Sequence, residues 1–175
     1  MKKYLSLLFL AVFGFSLISC DDDNDGYYDD TDTYSVVYDI TDSFAYDSGT
    51  DSYVISRTFN SSIPSSDVVL VYRESGTSNG STIWQQIPRT LYLDEGELDY
   101  DFDFSTDDVY IYAGGTIDLA SQSSSFNSSY LNDQTFRIVI VPASYGKGGS
   151  VDYSDYEKVI KKYGIDDSKV VTLKK

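Results

Sequence analysis

Apolar and acidic side chains alternate strictly over residues 98–104, in the order Leu98, Asp99, Tyr100, Asp101, Phe102, Asp103 and Phe104. Successive side chains of a β-strand point to opposite faces of the sheet. The alternation therefore predicts a strand with one face in an apolar core and the other in water. Because a single strand is not stable by itself, a chain that contains this stretch is expected to build a sheet around it.

Further strands are predicted where the same period, or a short apolar run, recurs. They cover residues 36–44, 53–59, 68–72, 82–93, 108–112 and 136–141. Residues 68–72 are apolar throughout, which is typical of a central strand buried on both faces. Pro88 indicates a bulge or an edge within residues 82–93, because proline has no N–H to donate. Turns and loops are predicted between these strands, at residues 47–51, 75–81 and 94–97.

Seven short strands separated by turns predict an all-β, mainly antiparallel fold. The expected architecture is a single β-sandwich, Ig-like in general architecture, over residues 34–150. A short C-terminal helix and an edge strand are expected to follow it in residues 151–175.

The C-terminal helix is predicted from its apolar face, Tyr156, Val159, Ile160 and Tyr163. Ser154 and Glu157 have the spacing of a capping box at its start, and Gly164 is expected just beyond its end. Residues 170–173 are predicted to form the edge strand.

The C-terminal segment also differs from the sandwich domain in the sign of its net charge. Residues 158–175 contain six lysines and two aspartates, a net charge of +4, whereas residues 34–157 carry a net charge of −14. We therefore expect the basic C-terminal segment to pack on the acidic sandwich domain.

The composition excludes several functions. With no histidine and one cysteine, the chain has neither a His-containing catalytic triad nor an internal disulfide or Cys-rich metal site. The formal net charge is −15 at pH 7, from 28 acidic and 13 basic residues. Phosphate contacts need clustered Lys and Arg, so nucleic acid is not expected as a partner.

The N-terminus has the organisation of a lipoprotein signal. Met1-Lys2-Lys3 precedes an apolar run over residues 4–18, which is shorter than the roughly 20 residues that a membrane-spanning helix needs. The run ends in Leu17-Ile18-Ser19-Cys20, which resembles a bacterial lipobox. The resemblance implies that residues 1–19 are a signal peptide and that Cys20 carries a covalent lipid, which anchors the protein to the membrane. No other cofactor is expected.

Residues 20–33 are predicted to be a disordered acidic tether, because seven of residues 21–33 are aspartate. Asp21, Asp22 and Asp23 follow the cysteine directly, and they resemble the export signal of Bacteroidota lipoproteins that face the cell exterior. The resemblance implies that this protein is displayed on the outer face of the outer membrane.

The tether also permits a calcium site as an alternative. Asp21, Asp23, Asp25 and Asp32, with Gly26, match positions of a calcium-binding loop in which Asp replaces the final Glu. No helical pattern flanks the match, so a solvated spacer without metal is the preferred interpretation.

Four segments with the character of core strands and turns resemble one known group of proteins. They are Asp67–Arg73, Trp84–Pro88, Tyr100–Phe104 and Phe136–Pro142. The chain resembles, over residues 34–165, a family of small Bacteroidota lipoproteins, mainly flavobacteria-like. The resemblance implies a lineage and a location, and it implies no activity.

Candidate chemistry is sparse. Asp99, Asp101 and Asp103 share one strand face at about 6.6–6.8 Å spacing. Such a spacing also suits a cation or a pair of glycosidase carboxylates, but a solvated sheet face is the preferred interpretation. Trp84 is expected in the core, and Tyr27 and Tyr28 are interaction candidates in the tether. Three N-x-[ST] sequons are expected in loops, at Asn60, Asn79 and Asn127.

These observations predict a non-enzymatic outer-membrane lipoprotein that acts as an accessory or binding subunit. Its expected partners are the membrane, through Cys20, and an outer-membrane protein complex or a glycan. The alternative is a carbohydrate-binding module of a surface uptake system, for which Trp84 and several tyrosines should line an exposed groove. A calcium-binding protein or a carboxylate-based hydrolase is less favoured.

Overall fold

The computed structural model describes residues 35–147 and 151–174, which contain ten β-strands in two five-stranded sheets. Sheet A has the order β10 (Val171–Thr172), β1 (Val36–Asp42), β9 (Gln134–Val141), β4 (Val68–Ser78) and β5 (Ser81–Ile87). Sheet B has the order β2 (Ala45–Asp47), β3 (Ser52–Thr58), β8 (Asp108–Gly115), β7 (Gly96–Phe104) and β6 (Arg89–Leu93). The sheet pairs are antiparallel except β1 with β10. The predicted all-β sandwich is confirmed.

Two α-helices and two short 3-10 helices complete the described part of the chain. They are α1 (Ser124–Tyr130), α2 (Tyr156–Tyr163), Leu119–Ser121 and Ala143–Lys147. Within the described ranges, neither α-helix combines the length and the apolar character needed to cross a membrane.

The main core lies between the two sheets. Its most buried side chains come from both sheets and include Ile40, Val71, Phe136, Ile138, Ile55, Leu98, Tyr100 and Ile111. The alternation that predicted β7 holds at its start, where Leu98 and Tyr100 are buried. It fails at the end, because Phe104 is 44% exposed where the strand extends past the core.

Sheet A also buries its outer face. Leu70 and Tyr72 of β4 and Val139 of β9 pack against Tyr156 and Val159 of α2 in a second apolar cluster. Residues 68–72 therefore do form a central strand, of which one face lies in the main core and the other lies under the C-terminal segment.

The predicted single strand over residues 82–93 is wrong. The chain leaves sheet A after Ile87 and enters sheet B at Arg89, so that β5 and β6 lie in different sheets. The junction is the Ile87–Pro88 peptide, and Pro88, without an N–H, is outside both strands. The first predicted strand, residues 36–44, is two residues too long, because β1 ends at Asp42 and β2, in the other sheet, begins only at Ala45.

The predicted loop over residues 75–81 is mostly strand. β4 and β5 continue as a long hairpin with a bulge between Glu74 and Gly76. Only Asn79 and Gly80 form the turn, with φ angles of 51° and 82°. Two consecutive positive φ angles are typical of the tight hairpin turns that Asn-Gly favours.

Helix α1 has no counterpart among the predicted elements, and it places the Asn127 sequon in a helix rather than in a loop. Its sequence is rich in serine and has little helix propensity, so tertiary contacts hold it. The carbonyl groups at its C-terminal end accept hydrogen bonds from Arg73 (3.2 Å, to Ser129) and from Tyr100 (2.7 Å, to Tyr130). Its Phe126 is buried in the main core.

The start of α2 differs from the predicted capping box. The N-cap residue is Asp155, whose side chain accepts a hydrogen bond from the backbone N–H of Lys158. The helix ends before Gly164, as predicted.

The C-terminal segment, residues 151–174, does pack on sheet A, but its lysines are not what holds it there. Lys158 and Lys169 pair with Asp155 and Asp166 of the segment itself. The sequence alone does not show that Lys158 and Lys169 pair with aspartates of their own segment rather than with acidic side chains of the sheets.

Candidate functional site: an open trough across sheet B

The outer face of sheet A is covered by another part of the chain, whereas the outer face of sheet B is open to solvent. The C-terminal segment lies over sheet A. On sheet B, by contrast, the outward side chains of β3 and β8 reach solvent, and Ser56, Thr58 and Tyr110 are exposed. The inward neighbours Ile55 and Ile111 are buried. Sheet B is therefore the one whose outer surface a ligand or partner is able to reach.

A groove with a volume of about 530 Å³ lies at one end of sheet B. Two tyrosines from paired positions on β2 and β3, Tyr46 and Tyr53, line it with ring centroids 5.6 Å apart. Asp51 and Asp118 contribute carboxylates, and Gly114 lies in its floor. Aromatic walls with a few polar groups are typical of small-molecule binding sites.

A second, shallower cavity of about 360 Å³ adjoins the groove and is called the shelf here. It is lined by Asp99 and Asp101 of β7 and by Tyr112 of β8. The groove and the shelf share Ser52, Ala113 and Gly114. Their side chains nevertheless lie on opposite faces of sheet B. Tyr53 of the groove pairs with the buried Ala113 and packs against the main core, whereas Asp99 and Asp101 of the shelf project from the outer face. The groove and the shelf are together called the trough.

Gly114 leaves open space in the shelf. It pairs with Asp99 on the outer face of the sheet, and a Cβ placed on it meets no atom within 4 Å. A side chain at this position would project into the trough. The neighbouring Gly115 is different, because its φ is 116° and a Cβ would lie 2.2 Å from the carbonyl oxygen of Glu97.

The carboxylates of the trough have hydrogen-bond acceptor positions that the protein does not fill. Asp51 accepts a hydrogen bond from the Tyr46 hydroxyl (2.6 Å), and Asp99 accepts one from Thr90 (2.5 Å). Asp101 accepts one from the N–H of Phe102, and Asp118 accepts one from a backbone N–H of the adjacent 3-10 helix. An ionised carboxylate has about four acceptor positions, so each of these groups is able to receive further donors.

Two tyrosines of the trough, Tyr46 and Tyr112, have raised pKa values, which favour the neutral phenol. The hydrogen bond to Asp51, followed by the negative charge of that group, raises the pKa of Tyr46. Burial, followed by the hydrogen bond to Asp103 (3.0 Å), raises the pKa of Tyr112 to about 12. Neither Lys nor Arg is among the residues that line the groove or the shelf. The site is thus acidic and rich in neutral tyrosine.

Of the residues predicted to carry chemistry, the three aspartates of β7 take different positions. Asp99 and Asp101 line the shelf, and Asp103 accepts the Tyr112 hydroxyl beyond it. All three project side by side from one strand. In the described residues, no group of three or more acidic side chains is arranged to hold a metal ion.

Trp84 does not belong to the trough. It lies half-buried on the outer face of sheet A, where it packs against the second apolar cluster, and the guanidinium of Arg137 lies 4.4 Å from the centroid of its ring. The position of Trp84 therefore agrees better with the expectation that it packs in the interior than with the alternative, in which it lines an exposed groove. The exposed Tyr46 and the half-buried Tyr53 do line a groove, but on the other sheet.

The remaining predicted site residues lie outside the described residues. They are Cys20, the export residues Asp21, Asp22 and Asp23, the alternative calcium ligands Asp25 and Asp32, and the tether tyrosines Tyr27 and Tyr28. Lipidation, export and calcium binding therefore stay predictions.

Sequence reasoning missed the groove. Its two tyrosines come from short strands joined by a turn, and no spacing rule links them to Asp118. One available signal was Gly114-Gly115 after the apolar strand, because glycine inside a strand often marks a place where another group approaches closely. The chain is thus a β-sandwich in which the outer face of sheet A is covered and that of sheet B is open. Comparisons with family profiles, curated proteins and solved structures find no match.

Proposed function

We propose that the protein is a lipid-anchored lipoprotein of the outer membrane, displayed on the cell exterior, which acts as a non-enzymatic binding or accessory subunit. The shelf on the outer face of sheet B is its binding surface. The observation that carries the binding role is the asymmetry of the sandwich: the chain covers the outer face of sheet A with its own C-terminal segment and leaves the outer face of sheet B, with the shelf and its Tyr112, open to solvent. Aromatic side chains in concave surfaces commonly supply much of the binding energy of a site.

The location rests on the lipobox that ends at Cys20 and on the acidic residues that follow it. Several acyl chains on one cysteine anchor a protein stably, whereas a single chain does not. A segment as long as the predicted tether, residues 20–33, spans at most about 50 Å when fully extended. A tether of this length allows the sandwich to stand clear of the membrane surface and to present the trough to large partners.

Binding is proposed rather than hydrolysis because of how the carboxylates are placed. A glycosidase needs two carboxyl groups that face the scissile bond from opposite sides. Asp99, Asp101 and Asp103 instead project in parallel from a single strand, on an open surface.

The location is tested with Cys20→Ser in the native cell. We expect the variant to leave the membrane fraction and the wild type to stay in it, because the variant has no sulfur to carry the lipid. A second variant, with Asp21, Asp22 and Asp23 all changed to Asn, should stay in the membrane but lose its accessibility to an external protease. Retention of the Cys20→Ser protein in the membrane contradicts the anchor, and unchanged protease accessibility of the Asn variant contradicts the export signal.

A further inference from the structure

The groove at the end of the sandwich brings two aromatic rings and two carboxylates together. Tyr46 and Tyr53 are paired across β2 and β3, with ring centroids 5.6 Å apart and an angle of 60° between the ring planes. Asp51, from the turn between these strands, and Asp118, from the segment after β8, line the same groove. Neither Lys nor Arg is among the described residues that form its walls.

Elsewhere in the sandwich, the same combination of groups binds a guanidinium. That of Arg137 lies 4.4 Å from the ring centroid of Trp84 and donates to both oxygens of Asp39 at 2.8 Å. That of Arg73 lies 4.8 Å from the ring centroid of Tyr100 and donates to side-chain and backbone oxygens. In both places the chain supplies the arginine itself. The groove supplies rings and acceptors of the same kind without a basic side chain.

The walls of the groove select among classes of ligand. An anion would meet Asp51 and Asp118 without a counter-ion. A hard metal ion such as calcium takes about six to eight oxygen ligands, whereas much of this wall is apolar and includes Ile117 and Leu119. An organic cation with an apolar stem matches both the carboxylates and the apolar wall. Basic side chains of polypeptides have this character, because aliphatic carbons carry the charged group.

Arginine fits better than lysine. A guanidinium is planar and more weakly hydrated than an ammonium group, so it stacks on aromatic rings while it donates to carboxylates. The sequence has four arginines, of which Arg57, Arg73 and Arg137 donate to acceptors of the chain itself. The fourth, Arg89, lies on β6, at the opposite edge of sheet B from β2. An arginine that reaches the groove therefore belongs to another molecule.

We infer that the groove binds an arginine side chain of a partner polypeptide. The guanidinium lies against the rings of Tyr46 and Tyr53, and Asp51 and Asp118 compensate its charge. The side chains of the groove lie on the other face of sheet B from those of the shelf, so this site is a second one, beyond the proposed function.

The test uses three peptides of the form acetyl-Gly-X-Gly-amide, where X is arginine, lysine or citrulline, the neutral isostere of arginine. Each peptide is titrated into the full-length lipoprotein in uncharged detergent micelles, and binding is followed by methyl NMR. We expect the arginine peptide to shift the methyl signals of Ile117 and Leu119, in the groove, and not those of Val159, under the C-terminal segment. Its affinity should exceed that of the citrulline peptide at least about tenfold and that of the lysine peptide at least about threefold.

Two results of these titrations overturn the inference. If the arginine peptide leaves the Ile117 and Leu119 signals in place, the groove does not bind it. If the citrulline or the lysine peptide binds as tightly as the arginine peptide, the groove does not recognise a guanidinium.

Asp118→Asn locates the site, and Asp101→Asn on the shelf is its matched control. Both aspartates are exposed, and each accepts one backbone N–H through an oxygen that asparagine also has. Both variants therefore lose the same charge without losing that hydrogen bond. We expect Asp118→Asn to weaken binding of the arginine peptide at least about fivefold and Asp101→Asn to change it by less than about twofold. Equal losses would assign the effect to the net charge of the protein and contradict the inference.

Tyr46→Leu tests the contribution of the ring. The side chain is 56% exposed at the edge of the sheet, so the fold should tolerate its replacement. We expect Tyr46→Leu to weaken binding about fivefold or more, whereas Tyr46→Phe, which keeps the ring, should stay within about twofold of the wild type. Tyr92→Leu, at a 79% exposed position on the far edge strand of sheet B, is the control and should bind like the wild type. Equal affinities of Tyr46→Leu and Tyr92→Leu would contradict binding against the ring.

A second copy of the chain is the alternative occupant, through its exposed Arg89. Light scattering of the solubilised protein after size-exclusion chromatography separates the two cases. We expect the wild type and Arg89→Gln to have the same mass, that of one chain in a micelle. If the wild type self-associates and Arg89→Gln abolishes the association, the groove is an interface between copies and the inferred partner is wrong.

Discussion

Gly114 and Gly115 are adjacent in β8 but are glycines for different reasons. Gly114 faces the open trough, where a Cβ meets no other atom within 4 Å. Gly115 has a φ of 116° and lies against the backbone of β7, where the N–H of the next residue, Thr116, bonds to Glu97. Gly114 therefore leaves space open at the surface, whereas Gly115 permits a positive φ and the close approach of β7 and β8.

This difference predicts opposite effects of the same substitution. Gly115→Ala should lower the free energy of unfolding by about 2–3 kcal/mol, because the methyl group clashes with a carbonyl oxygen and the backbone is strained. Gly114→Ala should change it by less than about 1 kcal/mol in either direction. Urea unfolding of both variants, followed by tryptophan fluorescence, measures the difference. Equal midpoints would contradict the assignment.

The C-terminal segment depends on one arginine of the neighbouring sheet. Arg137 of β9 donates to both carboxylate oxygens of Asp39 at 2.8 Å, and its guanidinium lies 4.4 Å from the ring centroid of Trp84 and 5.5 Å from that of Tyr156. It also donates to the Tyr156 hydroxyl (2.9 Å), which in turn donates to Asp167 (2.7 Å). The hydrogen bond to Asp39 is the main cause of a pKa that is raised above the usual value for arginine. Arg137 thus joins the C-terminal segment to sheet A through contacts with aromatic rings and through hydrogen bonds.

Replacing this arginine should loosen the segment. Arg137→Met keeps the aliphatic stem but removes the ion pairs with Asp39 (2.8 Å) and Asp167 (3.8 Å), and we expect a loss of about 2–3 kcal/mol in unfolding free energy. Amide hydrogen exchange over residues 151–174 should rise more than in sheet B. The control is Lys158→Met, which removes an ion pair whose lysine side chain is 63% exposed and should cost at most about 0.5 kcal/mol. If both variants exchange alike, the arginine does not secure the segment.

The whole molecule is an acidic sandwich with many tyrosines and without histidine. Several of these tyrosines are buried, and burial is the main cause of their raised pKa values. That of Tyr100 is raised to about 12, and those of Tyr72 and Tyr156 are also raised. Their hydroxyl groups satisfy buried acceptors, as in the bond from Tyr72 to the carbonyl of Tyr153 (2.8 Å).

This pattern predicts where stability depends on pH. Because the folded chain holds these phenolic protons more tightly than the unfolded chain, their stabilisation is fully present below about pH 10 and is lost as pH rises through about 12. Without histidine, the free energy of unfolding should be nearly flat from about pH 6 to pH 9. Urea unfolding measured at a series of pH values from about 6 to about 12 tests both the flat region and the alkaline loss. Tyr100→Phe should reduce the alkaline loss, and Tyr92→Phe, a control at a 79% exposed position, should not. A steep change near pH 7 would contradict the prediction.

Local patterns in the sequence determine much of this protein. The period of two in residues 98–104 and the apolar run 68–72 predict strands because each strand presents alternate side chains to opposite faces, and this holds whatever the partners are. The start of the chain predicts a lipid anchor at Cys20 from the order of charge, apolar run and cysteine. These are properties of contiguous residues.

Only the tertiary structure decides which strands meet and what lies between them. The division of residues 82–93 between two sheets and the formation of α1 depend on partners that are distant in the sequence, such as Arg73 for the helix end. The trough is the clearest case, because Tyr46, Asp99 and Gly114 come from three strands whose neighbourhood is set by sheet order. No local preference encodes that order: it follows from burying two apolar faces at once, a property of the packed chain as a whole.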